Sequence, residues 1–150
     1  TDVNVIFDLM FHDIDIILSL VESPIKKISV FGKKIITQTT DIANVRIEFL
    51  NNSVANLTAS RISAKNERKI RIFEKNKYYS VDFLLSKMNI FSKKTNRIFK
   101  QNEYNYKKAD PLKKEINNFV NSCLGLEKPL VDGINGMNAL KVAEDISKKL

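Results

Sequence analysis

Apolar and polar positions change their rhythm twice along this chain. From Leu9 to Val21 apolar residues come too densely for strand alternation, and the spacing predicts a largely buried helix. Its polar exceptions Asp8, His12, Asp15 and Ser19 step by four, three and four, which places them on one helical face. Glu22-Ser23-Pro24 ends the helix, because the residue before proline is pushed out of the helical region. Ile25 to Ile36 reads as a strand pair or a bent strand around Gly32. Then Val45, Ile47 and Phe49 alternate with Asn44, Arg46 and Glu48, the pattern of a half-buried strand. Asn51-Asn52 tolerates the left-handed backbone of a tight hairpin turn, and Ala55, Leu57 and Ala59 resume the alternation beyond it. Lys69 to Phe73 and Tyr78 to Phe83 form two more strand-like runs around the polar turn Glu74-Lys75-Asn76-Lys77. Arg97 to Tyr106 is a weaker strand, and Leu84 to Thr95 fits either period.

The last third is helical. Asp110-Pro111 supplies an N-cap followed by proline at the first helical position. Leu112, Ile116, Phe119, Val120, Cys123 and Leu124 then make one apolar stripe, with Gly125 placed to terminate it. After a loop from Glu127 to Asn135, a final helix carries Met137, Leu140, Ala143, Ile146 and Leu150 on one side. The order of helix, antiparallel strands and two helices implies an α+β fold. It is expected to be one domain over 1–150, an open, mostly antiparallel sheet with helices packed on one face. There is no βαβ alternation, no G-x-G-x-x-G after a strand and no P-loop, so no Rossmann domain and no cofactor-binding residues are expected in this chain.

Composition narrows the setting. The 43% hydrophobic and 28% charged residues are those of a globular protein, and no apolar run nears the ~20 residues of a membrane span. Thr1-Asp2 does not open a signal peptide, and the absent initiator Met suggests that the chain begins inside a longer reading frame. A single cysteine, Cys123, excludes an internal disulfide and fits a reducing, cytoplasmic compartment; on the apolar stripe it is expected to be a buried, inert thiol. The glycosylation-like triplets at Asn51 and Asn56 then read as accidental. The net charge of +8 comes mostly from lysines spread thinly from Lys26 to Lys149, without zinc-finger spacing or an RNP-like aromatic motif, so a nucleic-acid partner is not expected. A basic cleft would still help recruit a phosphorylated or nucleotide-linked substrate.

The chemistry centres on His12, the only histidine, with Asp8 four residues before it. On a helix these share a face, close enough to share a proton or a substrate hydroxyl. Imidazole titrates nearest neutrality and suits proton abstraction from an alcohol, with the carboxylate fixing its tautomer. Spacing alone favours Asp8 as a helix cap and His12 as a packed or solvent-facing side chain, since D-x-x-x-H is common by chance. Asp13 and Asp15 read as first-turn carboxylates favoured by the helix dipole. One histidine among carboxylates makes a metal site only with ligands from elsewhere, and none is expected. Ser60-Arg61 ends a strand and presents a guanidinium either to a substrate carboxylate or phosphate, or to a structural salt bridge.

Asp8-Leu9-Met10-Phe11-His12-Asp13-Ile14-Asp15 resembles the D-x-x-x-H-D-I-D segment of the Gfo/Idh/MocA oxidoreductases, the glucose–fructose oxidoreductase and inositol dehydrogenase family. Asp41-Ile42-Ala43-Asn44, Ala55 to Arg61, Pro111-Leu112 with Glu115 and Phe119, and Val131-Asp132-Gly133-Ile134-Asn135-Gly136 follow in the family's order, covering nearly the whole chain. The resemblance implies a C-terminal, dihydrodipicolinate-reductase-like domain whose open sheet face packs in a homo-oligomer. It also implies a preceding Rossmann domain, absent here, with the glycines for NAD or NADP and a catalytic lysine. Residue by residue, it makes His12 the acid/base on a sugar, cyclitol or nucleotide-sugar hydroxyl and Asp8 the carboxylate that holds a hydroxyl or orients His12. The D-L-M-x-H-D-I-D wording is similar to a bacterial subgroup, some of whose members oxidise the 3-hydroxyl of UDP-N-acetylglucosamine-type sugars.

Two function classes follow. One is an enzyme half, inactive alone and competent with its nucleotide-binding part. The other is a non-catalytic binding or dimerisation module from a truncated or split gene. Polyanion binding through the basic surface is a third, betrayed by steep salt dependence.

Overall fold

A computed structural model describes residues 3–93 and 99–150 of the chain. The elements run α1 (Phe11–Leu20, entered through a π-helical turn at Ile6–Met10), β1 (Ile25–Lys33), β2 (Ile42–Phe49), β3 (Val54–Ser60), β4 (Lys69–Glu74), β5 (Lys77–Asp82), β6 (Lys87–Lys93), β7 (Phe99–Asn105), α2 (Pro111–Cys123) and α3 (Gly133–Ser147). Every strand pair is antiparallel, so the α+β class stands, but the strands divide between two sheets, β1-β2-β3 and β4-β5-β6-β7. The chain forms two compact units, residues 1–63 with 129–150, and residues 64–128.

The first unit is a three-stranded sheet with helices on one face. Ala43, Val45, Ile47 and Phe49 of β2 and Leu57 and Ala59 of β3 turn inward, as the alternation predicts. They meet Val5, Ile6, Met10 and Ile14 from the first helical segment and Ala139, Ala143 and Ile146 from α3. The hairpin turn is where the asparagines place it, with Asn52 at φ 66°. The inward face of α3 keeps Ala143 and Ile146 of the expected stripe but adds Ala139, while Met137, Leu140 and Leu150 stay exposed. Small alanines let α3 lie close against α1, so the side with least bulk faces the core. The helix also starts earlier, at Gly133, because the Asp132 carboxylate accepts the Asn135 N–H at 2.8 Å and so overcomes the poor helix propensity of two glycines.

The second unit is an antiparallel meander followed by α2. Leu84 to Thr95 resolves into a turn through Ser86 (φ 52°) and strand β6; Lys94 and Thr95, and the expected strand start at Arg97 and Ile98, lie outside the described residues. Phe73, Tyr78 and Phe91 are direct cross-strand neighbours and stack in a row, ring centroids 4.7 and 5.2 Å apart. Helix α2 begins and ends as its sequence implies. Asp110 accepts the Lys113 N–H, and Gly125, at φ 72°, closes a Schellman turn with Gly125 N–H on Ser122 and Leu126 N–H on Asn121. Its apolar stripe, however, is uncovered: Leu112, Ile116, Phe119, Val120 and Leu124 are all exposed. Cys123 on that stripe is exposed as well, which overturns the expectation of a buried thiol; nothing within the unit packs over the helix face that carries it.

Candidate functional site

Asp8 and His12 are presented by the helical segment that opens the first unit. Asn4 starts it: its Oδ1 accepts the N–H groups of Ile6 (3.1 Å) and Phe7 (3.3 Å), and its Nδ2 donates to Ser147 Oγ on α3 at 3.0 Å. The first turn is a π turn, closed by the Phe11 N–H on the Ile6 carbonyl five residues back. Ile6, Met10 and Ile14 enter the core, which leaves Asp8 and His12 on the outward side, both exposed. The imidazole lies edge-on to the Phe11 ring at 5.9 Å. Among the described residues no hydrogen bond links His12 to Asp8 directly.

Asp8 is instead joined to Arg61, which follows β3. Arg61 Nη2 donates to Asp8 Oδ2 at 3.3 Å and to the Val3 carbonyl at 2.7 Å. Of the two readings open for Ser60-Arg61, this is the salt bridge, and it leads to the predicted site residue. Ser60 turns its hydroxyl to the Ile62 N–H.

Behind Arg61 sits a group that sequence reasoning noted only as part of a motif. Asp41 is fully buried, yet its Oδ2 accepts the N–H groups of Ile35 (2.7 Å), Ile36 (2.7 Å) and Thr37 (2.9 Å), and its Oδ1 the Thr37 hydroxyl (2.7 Å). The backbone N–H bonds from Thr37 and Ile35, foremost, hold its carboxyl far below the usual carboxylate range. Its own carbonyl accepts the Arg61 N–H at 3.0 Å, and the neighbouring Thr40 carbonyl accepts the Val5 N–H at 3.1 Å. The Asp41 carboxylate thus holds the loop after β1, while the backbone carbonyls of Asp41 and Thr40 hold the residue after β3 and the start of the Asp8 segment. The signal in the sequence was an acid placed between a Thr-rich turn and an alternating strand, the composition of side-chain-to-backbone turns.

Asp13 is in the first turn of α1 as expected. Tyr78, Tyr79 and Tyr104 are strand residues of the second unit. Among the described residues no group of three His, Cys, Asp or Glu side chains could hold a metal ion, and no helix is long and apolar enough to cross a membrane. Nor do the glycines form a dinucleotide cradle. Gly32 lies within β1 against the side chains of Leu150 and Thr40, Gly125 ends α2, and Gly133 and Gly136 open α3, so none sits in a turn from a strand into a helix.

The family model for the GFO/IDH/MocA C-terminal domain matches residues 2–78. The chain is 31% identical over 147 residues to the UDP-N-acetylglucosamine 3-dehydrogenase of Acidithiobacillus ferrooxidans, covering 95% of this chain and 47% of that protein. A solved structure of that bacterium's UDP-N-acetylglucosamine 3-dehydrogenase GnnA superposes with a TM-score of 0.91 at 32% identity, over 99% of this chain and 48% of the other. A levoglucosan dehydrogenase in complex with NADH superposes with a TM-score of 0.84 at 11% identity, over 97% and 47%, a likeness of fold alone. The chain spans about half the length of each of these relatives.

Proposed function

The chain belongs to the GFO/IDH/MocA family as one of its C-terminal domains, and we propose that it is the substrate-facing half of a dehydrogenase acting on a sugar, cyclitol or nucleotide-sugar hydroxyl. A nucleotide sugar of the UDP-N-acetylglucosamine type is the favoured substrate, since the relative that names it matches 95% of this chain. In this reading a preceding Rossmann domain holds NAD or NADP, which takes the hydride.

The observation that carries the reading is the placement of Asp8 and His12. Both side chains are exposed on one helical segment, four positions apart, at the two positions to which the resemblance assigns the family's carboxylate and histidine. His12 takes the proton from the substrate hydroxyl as the carbon is oxidised and returns it in the reverse reaction. The Asp8 carboxylate, with one oxygen on Arg61, keeps the other to accept a hydrogen bond from a sugar hydroxyl. The two lie on an open surface of this unit, as they would if the second wall of the pocket came from the nucleotide-binding half. The outer face of β1 to β3, with Phe31 60% exposed, accords with packing against another copy in a homo-oligomer. A lone thiol accords with a cytoplasmic location.

The test uses the full-length protein with NAD or NADP and a panel of sugars that includes UDP-N-acetylglucosamine. His12→Ala and Asp8→Asn are each expected to lower turnover at least about a hundredfold. Near-normal turnover in both variants, or no oxidation of any sugar by the intact protein, overturns the reading and leaves a non-catalytic module. The isolated 150 residues are expected to bind no dinucleotide by calorimetry.

A further inference from the structure

We propose that Arg61 is a positioning residue for Asp8, a guanidinium anchored in the fold that sets the direction in which the carboxylate meets a substrate hydroxyl. The inference rests on the function proposed above. Its ground is the asymmetry of the pair. The Arg61 side chain is only 14% exposed while Asp8 is 44% exposed. One end is therefore part of the scaffold and the other belongs to the surface.

The anchor is independent of the carboxylate. The same Nη2 that reaches Asp8 at 3.3 Å is held more closely by the Val3 carbonyl, at 2.7 Å. The Arg61 backbone is fixed by its N–H on Asp41, whose side chain in turn locks residues 35–37. Val5, two residues beyond the Val3 carbonyl, is bound to Thr40. Asp8 could turn away and the guanidinium would keep its place.

The bond to the Val3 carbonyl accounts for the anchoring of Arg61, but the Asp8 end of the ion pair is exposed and adds little to stability, so fold maintenance is a poor explanation for the pair itself. Positioning is a better one. A free surface aspartate samples several rotamers, and each wrong one removes a substrate hydrogen bond. With Oδ2 engaged, Oδ1 is the oxygen left for the sugar. Arginine suits the task because its planar fork holds two acceptors, here a carbonyl and a carboxylate, in fixed directions, which a lysine ammonium on a flexible stem does not.

The experiment compares Arg61→Ala, Arg61→Lys, Asp8→Asn and the double variants in the full-length protein, with UDP-N-acetylglucosamine and NAD or NADP as probes. Arg61→Ala is expected to lower kcat/KM about tenfold or more, the size of one charged hydrogen bond misdirected. Arg61→Lys is expected to restore the melting temperature but not kcat/KM. In the Asp8→Asn background either Arg61 change is expected to cost little further, because the group it directs is already disabled. A merely structural arginine would give losses that multiply, and full recovery of kcat/KM wherever Arg61→Lys recovers the fold; either result overturns the proposal. If Arg61→Ala fails to fold, the Arg61→Lys and Asp8→Asn cycle decides alone. Crippled Asp8→Asn with multiplying losses sinks only the Arg61 inference, whereas wild-type kcat/KM in Asp8→Asn sinks the function on which it rests.

Discussion

Asp41 and Thr37 hold each other twice, through the Thr37 N–H on Oδ2 at 2.9 Å and the Thr37 hydroxyl on Oδ1 at 2.7 Å. With Ile35 and Ile36 adding their N–H groups, the buried carboxylate accepts four hydrogen bonds from the loop between β1 and β2. All of these donors favour the charged form, so the carboxyl titrates lower in the folded chain than in the unfolded one. A folded value that is depressed means stability present above the unfolded carboxyl range, near pH 4, and lost as the pH falls below it. Asp41→Asn is expected to lower the melting temperature at pH 7 by several degrees and to flatten its decline between about pH 4 and pH 2. Melting curves against pH check this; an unchanged acid limb in the variant would contradict it.

Asn4 acts at the other end of the same construction. It caps two N–H groups of the π turn and reaches across to Ser147. Asn4→Ala leaves those donors to water and is expected to cost about 1 kcal/mol in urea unfolding, as other lost helix caps do. Asn4→Asp keeps the cap and gives up only the bond to Ser147, so it should recover more than half of that loss.

Much of this fold was legible because one face of β2 and β3 is buried. A strict period of two, as in Val45, Ile47 and Phe49, can be read without knowing what covers it. The caps were legible for a similar reason, since Asp110 with Pro111, and Gly125, act within their own turns. What could not be read depends on the partner surface. The inward side of α3 was set by how near α1 can come, and that brings Ala139 into the core beside the expected Ala143 and leaves out the larger Leu140. The site divided in the same way. Asp8 and His12 share a helical segment, so spacing found them, whereas Arg61 meets Asp8 across 53 positions of sequence, a distance that no local pattern encodes.

The close approach of α3 makes its own prediction. Ala143 is fully buried among core side chains of the first unit, so a larger residue there has no room. Ala143→Leu is expected to destabilise the chain by about 1–3 kcal/mol, the usual cost of overpacking. Leu140→Ala, one turn away on the exposed side, is expected to change stability by no more than about 0.5 kcal/mol. The reverse ranking in chemical denaturation would mean that the helix presents its other face to the sheet.

Helix α2 offers the sharpest contrast between sequence pattern and energetic weight. Phe119 and Ile47 both look like core residues in the sequence, one on an amphipathic helix and the other on an alternating strand. In the fold Ile47 is fully buried and Phe119 is 68% exposed. The hydrophobic contribution follows area removed from water, so the larger ring should matter less. In the isolated 150-residue chain, Ile47→Ala is expected to cost about 2–5 kcal/mol, and Phe119→Ser no more than about 0.5 kcal/mol. Cys123, on the same helix face, should react with a thiol reagent at nearly the rate of the unfolded chain. A slow thiol together with a costly Phe119→Ser would show that something covers this face in solution.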